Sequence, residues 1–388
     1  MSVALESASP ARRRVESLLA RADIRVGGSR PFDVQVLDER FFERVLRDGQ
    51  MGFGESWMDG WWTCEAADEM TARFIRAGLH KPSLRDAGHA VYALRLRLAG
   101  LGRKGKAFEV GRRHYDLGND LFRAMLDPRM VYSCAYWKDA DDLDAAQEAK
   151  LDLVCRKLDL RPGQRVLEIG CGWGGWARFA AERYGVEVVG LTVSGEQARL
   201  AREVCAGLPV EIRLQDYRDA AESYDRVVSI AMLEAVGRRH YGVFLDVIER
   251  SLKPEGLALV HSIFGNEPVP ASEAPWLNEY VFPNGELPSL GQFLRASEGR
   301  FVVEALHHLD GQYEPTLAAW RTRFEAAWPA LSDRYDARFH RMWTLYLLMA
   351  KGIFMSRKCH VWQVVLSRNG ARPGAPAFAP DPGAYDAR

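Results

Sequence analysis

The stretch Arg165–Gly175, RVLEIGCGWGG, constrains this chain more than any other. A short apolar strand ends in an acid and opens into a glycine-rich turn, where glycines let the backbone bend tightly and admit a ligand close to it. A helix beginning near Trp173 would then aim free N–H groups at that ligand. Gly170, Gly172 and Gly175 also satisfy the G-x-G-x-x-G spacing of a dinucleotide site. Such a site needs an acid at the end of the second strand, about 20 residues on, to hold the ribose. Here the second strand, VEVVGLTVS, closes on Thr192, Val193 and Ser194, none of them acidic. The acid stands two residues before the first glycine instead, at Glu168. A carboxylate in that place suits S-adenosylmethionine (SAM), which has no pyrophosphate and carries a cationic amino acid end. The stretch favours SAM, with a dinucleotide site or a purely structural turn as the alternatives.

Around it the pattern alternates. RVLEIG, VEVVGLTV, VEIRLQ, YDRVVSIAM and GLALVHSI read as short buried parallel strands rich in Val, Ile and Leu. Helix-like stretches lie near Trp173–Tyr184, Gly195–Ala206 and Arg238–Leu252, the last stopped by a turn at Lys253–Pro254–Glu255–Gly256. Two later strand candidates, FVVEALHHL and HVWQVVLSR, flank a helical region from about Glu314 to Phe354. The expectation is a doubly wound α/β sheet with ligands at the C-terminal strand ends. Upstream, Arg12–Ala77 mixes a short helix, a strand-like RPFDVQVL and a tryptophan-rich GESWMDGWW. Trp57, Trp61 and Trp62 form either a small core or a lipid-interface surface, and core is favoured. A Lys/Arg/Gly linker sets a boundary near residue 105, dividing the chain into 1–105, 106–370 and a Pro/Ala/Gly-rich tail, 371–388, expected to be disordered.

A length of 388 residues allows one large or two moderate domains. Lys+Arg and Asp+Glu balance at 52 each, which argues against a globally electrostatic mode of nucleic-acid binding. Locally, Arg95, Arg97, Arg103, Lys104, Lys106, Arg112 and Arg113 are opposed only by Glu109, a run that faces anionic lipid or is a solvated linker. The six cysteines are scattered with no C-x-x-C pair, so neither a disulfide framework nor a zinc site is expected, and a reducing cytosol fits. Met1–Arg14 lacks the apolar core of a signal peptide. No run approaches the roughly 18 apolar residues needed to span a bilayer. Membrane contact is expected to be peripheral.

Several segments together resemble one family. HYDLGNDLFRAMLDPRMVYSCAYW (His114–Trp137), VLEIGCGWGG, LTVSGEQ, LQDYRD, LVHSI, YVFPNGELPS and the final WQVVLSR are similar to the long bacterial form of the cyclopropane-fatty-acyl-phospholipid synthases, from about Glu16 to Arg368. The resemblance implies a seven-stranded, Rossmann-like SAM-dependent methyltransferase domain with a smaller N-terminal domain tied to lipid engagement and dimer function. It implies methyl transfer from SAM to a cis double bond of a phospholipid acyl chain, then proton loss to bound bicarbonate and ring closure. It further implies a cytoplasmic homodimer, peripherally associated with the inner face of the cytoplasmic membrane.

Carried over residue by residue, the family's bicarbonate cage falls on Cys134, Glu234, His261, the backbone of Ile263, and Tyr313. Taken singly, His261 would be an ordinary strand-end histidine, Cys134 a small buried hydrophobe and Tyr313 core. In the sheet reading Glu234 follows the fourth strand and His261 ends the fifth, so both sit at the ligand edge. A carboxylate beside an anion makes sense when bicarbonate donates its own O–H to it. For SAM the resemblance points to Tyr132 and Ser133, to Gly170 with Cys171, Gly172, Trp173 and Gly174, to Thr192, Val193 and Gln197, and to Asp216 and Tyr217. Glu168 acts on the amino acid end or only through its turn. Gln197 can reach the ribose hydroxyls, Asp216 the adenine amino group, and Tyr217 can stack on the purine. The chain departs from the family pattern at Ala235, where a histidine is usual, and at about Ala350, where a cysteine is common. The alternatives are a related lipid methyltransferase that leaves a methyl branch or exocyclic methylene, and, from another class, a non-catalytic lipid-binding protein.

Overall fold

The computed structural model describes residues 9–80, 118–283 and 285–370. The basic stretch Arg95–Arg113, the boundary near residue 105, the start of the His114–Trp137 segment, Asn284 and the tail 371–388 lie outside the described residues. The chain forms two compact units.

One unit takes the described residues up to 80 together with Pro270–Pro283 and Leu317–Cys359. Its two-stranded antiparallel sheet pairs β1 (Gln35–Val36) with β2 (Trp62–Thr63), next to the helix Arg40–Met58. Trp62 is fully buried and its indole N–H donates to the Phe53 carbonyl at 3.1 Å; buried Trp57 donates to the Arg341 carbonyl at 2.9 Å. Both are core, each with its one polar atom satisfied. Trp61 is half-buried, with the Arg40 guanidinium 4.5 Å from its ring centroid. The region expected to be helical holds two helices, Tyr313–Leu331 and Ala337–Met355. The second starts where the Asp336 carboxylate accepts the Phe339 amide at 2.7 Å, an N-cap that restarts the helix.

The other unit holds a seven-stranded mixed sheet in the order β5-β4-β3-β6-β7-β9-β8. Its strands are β3 (Arg165–Ile169), β4 (Glu187–Thr192), β5 (Val210–Leu214), β6 (Tyr224–Ile230), β7 (Leu252–Gly265), β8 (Phe301–His308) and β9 (Cys359–Arg368). β3 to β7 pair in parallel, and β8 runs antiparallel to β9. Successive side chains of a strand face opposite layers, and the two cores follow that period. Leu167 and Ile169 pack with Val189, Leu191, Val260 and the helix Tyr241–Ser251 through Phe244, Leu245 and Ile248. Val166 packs on the other side with Val188, Val228, Leu259 and the helices Leu143–Lys157 and Gly175–Tyr184, through Leu151, Val154, Trp176 and Phe179. Glu168, two residues after Val166, therefore faces the layer that contains Leu143–Lys157.

One local expectation fails. Lys253–Gly256 is not a turn ahead of the strand but lies inside β7: the register jumps from Tyr224 opposite Leu252 to Arg226 opposite Leu257. The extra residues form a bulge with Lys253, Pro254 and Glu255 exposed, which explains why turn-type residues occur there. β7 also continues past His261 to Gly265. His261 nevertheless sits at the ligand edge, because it pairs with Ile230, the last residue of β6.

Candidate active site

The sheet order reverses between β3 and β6, the place where an α/β sheet opens a crevice at its C-terminal strand ends. A cavity of about 220 Å³ lies there. It is lined by the turn after β3 (Glu168–Trp173), the end of β4 with Val193 and Gln197, the segment Gln215–Arg218 after β5, and Ile230–Met232 after β6. Gly170 and Gly172 have φ of +83° and +54°, the left-handed region that makes glycine the natural residue in such a turn. A Cβ on Gly175 would lie 2.4 Å from the carbonyl oxygen of Arg129, so the helix Gly175–Tyr184 can begin against that loop only with glycine. Trp173 donates its indole N–H to Asn119 Oδ1 at 2.9 Å, fastening the turn to the helix Asn119–Met125. Met130 and Ala231, also at the cavity, hold φ of +58° and +52°, a conformation L-residues adopt at a cost.

Of the residues expected to hold SAM, Tyr132, Ser133, Glu168, Gly170, Cys171, Gly172, Trp173, Thr192, Val193, Gln197, Asp216 and Tyr217 line the cavity; Gly174 does not and serves as the N-cap of the helix instead. Glu168 is buried, and its Oε2 has no hydrogen-bond partner among the described residues. Burial holds its carboxyl well above the ordinary range, against the opposing field of Lys150. A cationic amino group would complete that oxygen, so the cavity fits the charged end of SAM. Gln197 accepts the Thr192 hydroxyl at 2.8 Å, which orients its amide at the cavity wall. Asp216 is gripped by Arg218, with 2.6 Å between Oδ2 and the guanidinium. Ala235 also lines the cavity, and Ala350 lies in the helix Ala337–Met355 of the other unit.

Sequence reasoning missed Lys150 and Gln147. The helix Leu143–Lys157 buries both on the face that carries Leu143, Leu151 and Val154. Gln147 donates to the carbonyls of Val131 and Ser133 at 3.2 and 2.9 Å, and Lys150 to the Ser133 hydroxyl at 2.7 Å. These bonds fix the loop that forms one cavity wall. Burial brings Lys150 down to about 8. The signal was present as Gln147, Lys150 and Lys157, polar residues at i, i+3 and i+10 on an apolar helical face, a pattern that usually marks a side chain with a buried partner.

None of the five cage residues lines this cavity. Glu234 and Ile263 are in direct contact, and the rest fall near one another through their neighbours. Glu234, in the short helix Leu233–Val236, accepts the Ile263 amide at 2.7 Å through Oε1, while its Oε2 is solvent-inaccessible and unpartnered among the described residues. Burial raises the Glu234 carboxyl, offset by the Ile263 amide. His261 shares Ile263's face of β7 and is 2 % exposed; burial first, then Lys150, Lys157 and His307, hold it well below its ordinary value, so the ring is neutral. The Ala231 amide donates to the His261 carbonyl at 2.8 Å, and Glu286 N–H donates to the Glu234 carbonyl at 3.1 Å, tying the GELPS segment to the site. Elsewhere in the same unit, the Ala135 amide and Trp137 indole donate to Thr316 Oγ1 at 3.2 and 2.9 Å, which links the neighbours of Cys134 to the residues just after Tyr313. Cys134 is buried, and burial pushes its thiol up, away from the thiolate. Away from the cavity, His308, Asp310 and His360 place three possible metal-ligand atoms within 4.8 Å, with the two histidines hydrogen-bonded at 2.9 Å.

The sheet order, the glycine turn and the buried carboxylate at its mouth define a SAM-dependent methyltransferase. Residues 103–364 match the family model of mycolic acid cyclopropane synthetase, and the chain belongs to that family. It is 50 % identical over 370 residues, 93 % of this chain and 95 % of the relative, to the cyclopropane-fatty-acyl-phospholipid synthase of Escherichia coli (strain K12). It is 34 % identical over 362 residues to the tuberculostearic acid methyltransferase UfaA1 of Mycobacterium tuberculosis, covering 84 % of this chain and 81 % of that one. Among solved structures, the mycolic acid cyclopropane synthase CmaA1 complexed with SAH and CTAB superposes with a TM-score of 0.62 at 32 % identity, over 68 % of this chain and 98 % of that one.

Proposed function

We propose that this methyltransferase makes cyclopropane rings in phospholipids: it moves the SAM methyl group onto the cis double bond of an unsaturated acyl chain and closes the ring after a proton leaves to bound bicarbonate. The observation that carries the reading is the Glu234 carboxylate, anchored through Oε1 and left with a buried, unpartnered Oε2 at the ligand edge of the sheet. An acceptor in that state calls for a donor from a ligand, and the O–H of bicarbonate is one. The E. coli relative's activity at 50 % identity supports the same reading.

When bound, SAM supplies an electrophilic methyl group and bicarbonate supplies a base. An alkene is a weak nucleophile, so the protein's contribution is to place it in line with the methyl group in a dry site. Glu168 would hold the amino group of SAM, Gln197 its ribose, and Asp216 with Tyr217 its adenine. Methyl transfer leaves a cation on the acyl chain, which water would trap as an alcohol and which an aromatic face close to it would favour. Glu234, His261, Cys134, Tyr313 and the Ile263 amide would orient the base beside the new methyl group. A buried thiol with a raised pKa makes Cys134 a neutral wall and hydrogen-bond donor, not a nucleophile.

Among the described residues no helix is long and apolar enough to cross a membrane. The proposal also includes, on the strength of the resemblance, a dimer that meets the inner face of the cytoplasmic membrane peripherally, with the N-terminal domain engaging lipid. Incubation with methyl-labelled SAM and vesicles of cis-unsaturated phospholipid tests the function: label is expected in the extracted acyl chains. Unlabelled lipid with intact SAM binding would overturn it in favour of a lipid-binding protein. Vesicle co-sedimentation that weakens as salt rises is the expected result for contact through anionic headgroups.

A further inference from the structure

Two buried side chains and the half-buried His307 extend away from His261. Gln363, on β9 and 0 % exposed, lies with its Nε2 at 3.1 Å from His261 Nδ1. Its Oε1 accepts Lys157 Nζ at 2.6 Å, and Lys157 also lies 2.7 Å from His307 Nδ1. Lys157 is 1 % exposed, at the end of the helix Leu143–Lys157. The chemistry of the groups orders the protons. Lys157 Nζ donates to the amide oxygen of Gln363, which leaves the amide nitrogen facing His261. An amide nitrogen only donates, so His261 Nδ1 must accept and the ring proton of the neutral imidazole must sit on Nε2.

We propose that Lys157 and Gln363 are positioning residues that lock His261 as the Nε2–H tautomer, so that His261 offers the site a hydrogen-bond donor and cannot act there as a base. This rests on the reading of His261 as a site residue given above. It divides the labour in the cage, because a donor at His261 and an acceptor at Glu234 Oε2 together suit an anion that bears one O–H. The depressed pKa of His261 agrees with a ring that stays neutral through turnover.

The test uses the full chain with ¹⁵N-labelled histidine. Long-range proton–nitrogen NMR, with His261 assigned by its loss in His261→Gln, is expected to show the Nε2–H pattern; an Nδ1–H pattern in the native chain overturns the proposal without any variant having to fold. Gln363→Glu replaces the amide donor by an acceptor and is expected to move the proton to Nδ1. It should lower methyl transfer to cis-unsaturated phospholipid vesicles roughly 10–100-fold, the size of effect typical of an outer-shell orienting group, with SAM affinity unchanged within about twofold. Lys157→Met is expected to lower turnover in the same direction, and Lys157→Arg to restore part of it. A Gln363→Glu protein with both tautomer and turnover unchanged also overturns the proposal. A moved proton with full turnover refutes instead the placement of His261 at the reaction, so the two failures are distinguishable.

Discussion

At the scale of residues, two buried carboxylates with one unsatisfied oxygen each define what the site lacks. Glu168 awaits a cation inside the cavity, and Glu234 awaits a hydrogen-bond donor beside β7. Glu168→Gln keeps the shape and removes the charge; hydrogen bonds to charged groups are worth about 1.5–3 kcal/mol, so SAM affinity by calorimetry should fall roughly 10–100-fold. Unchanged affinity would mean that Glu168 acts only through its turn. Glu234→Gln should leave SAM binding intact while ring-forming turnover falls on the order of 10²-fold, as expected when an orienter of the base is blunted. Full ring formation by that variant would remove Glu234 from the base arrangement. Glu168 was legible because an acid before a glycine turn has few other tasks. The cage residues are proposed only through the resemblance: Glu234, His261 and Tyr313 come from three separate elements, and no local spacing links them.

At the scale of elements, the helix Leu143–Lys157 carries more of the site than its sequence suggests. It buries two lysines seven residues apart, one bonded to the cavity loop and the other to the chain that ends at His261. Both titrate near 10.5 when unfolded; burial lowers Lys150 to about 8 and Lys157 to about 7 in the fold. From roughly pH 7 to 10.5 the unfolded chain therefore binds more protons than the native one, and the lysines' contribution to stability rises with pH across that window. Urea unfolding of the native chain and of Lys150→Met/Lys157→Met should show the native chain gaining on the variant between pH 7 and pH 9.5. A pH-independent difference would mean that the lysines are solvated. The five parallel strands were legible because buried strands need continuous Val, Ile and Leu. The β7 bulge and the position of the break between the helices Tyr313–Leu331 and Ala337–Met355 were not: the first mimics a turn in composition, and the second depends on which of the polar residues within 332–336 serves as the N-cap, which is Asp336.

At the scale of the whole molecule, the tryptophan-rich start of the chain folds in one compact unit with Pro270–Pro283 and Leu317–Cys359. Such long-range association was invisible to a reading along the chain, since each piece buries its apolar face against residues hundreds of positions away, as Trp57 does on the Arg341 carbonyl. The other unit holds the cavity, whose walls come from four strand ends and from the loop pinned by Gln147 and Lys150. The family of the chain, its SAM-type cavity and the Glu234–Ile263 contact meet in one claim, that methyl transfer here ends in a ring. The departure at Ala235, on the cavity wall, bears on that claim more than any other residue, because a methyl branch and a ring differ only in which proton leaves the cation. The deciding measurement is proton NMR of phospholipid recovered after reaction with ¹³C-methyl SAM. Upfield cyclopropyl methylene signals coupled to the label are the predicted result; label found only in a methyl branch or an exocyclic methylene would contradict it.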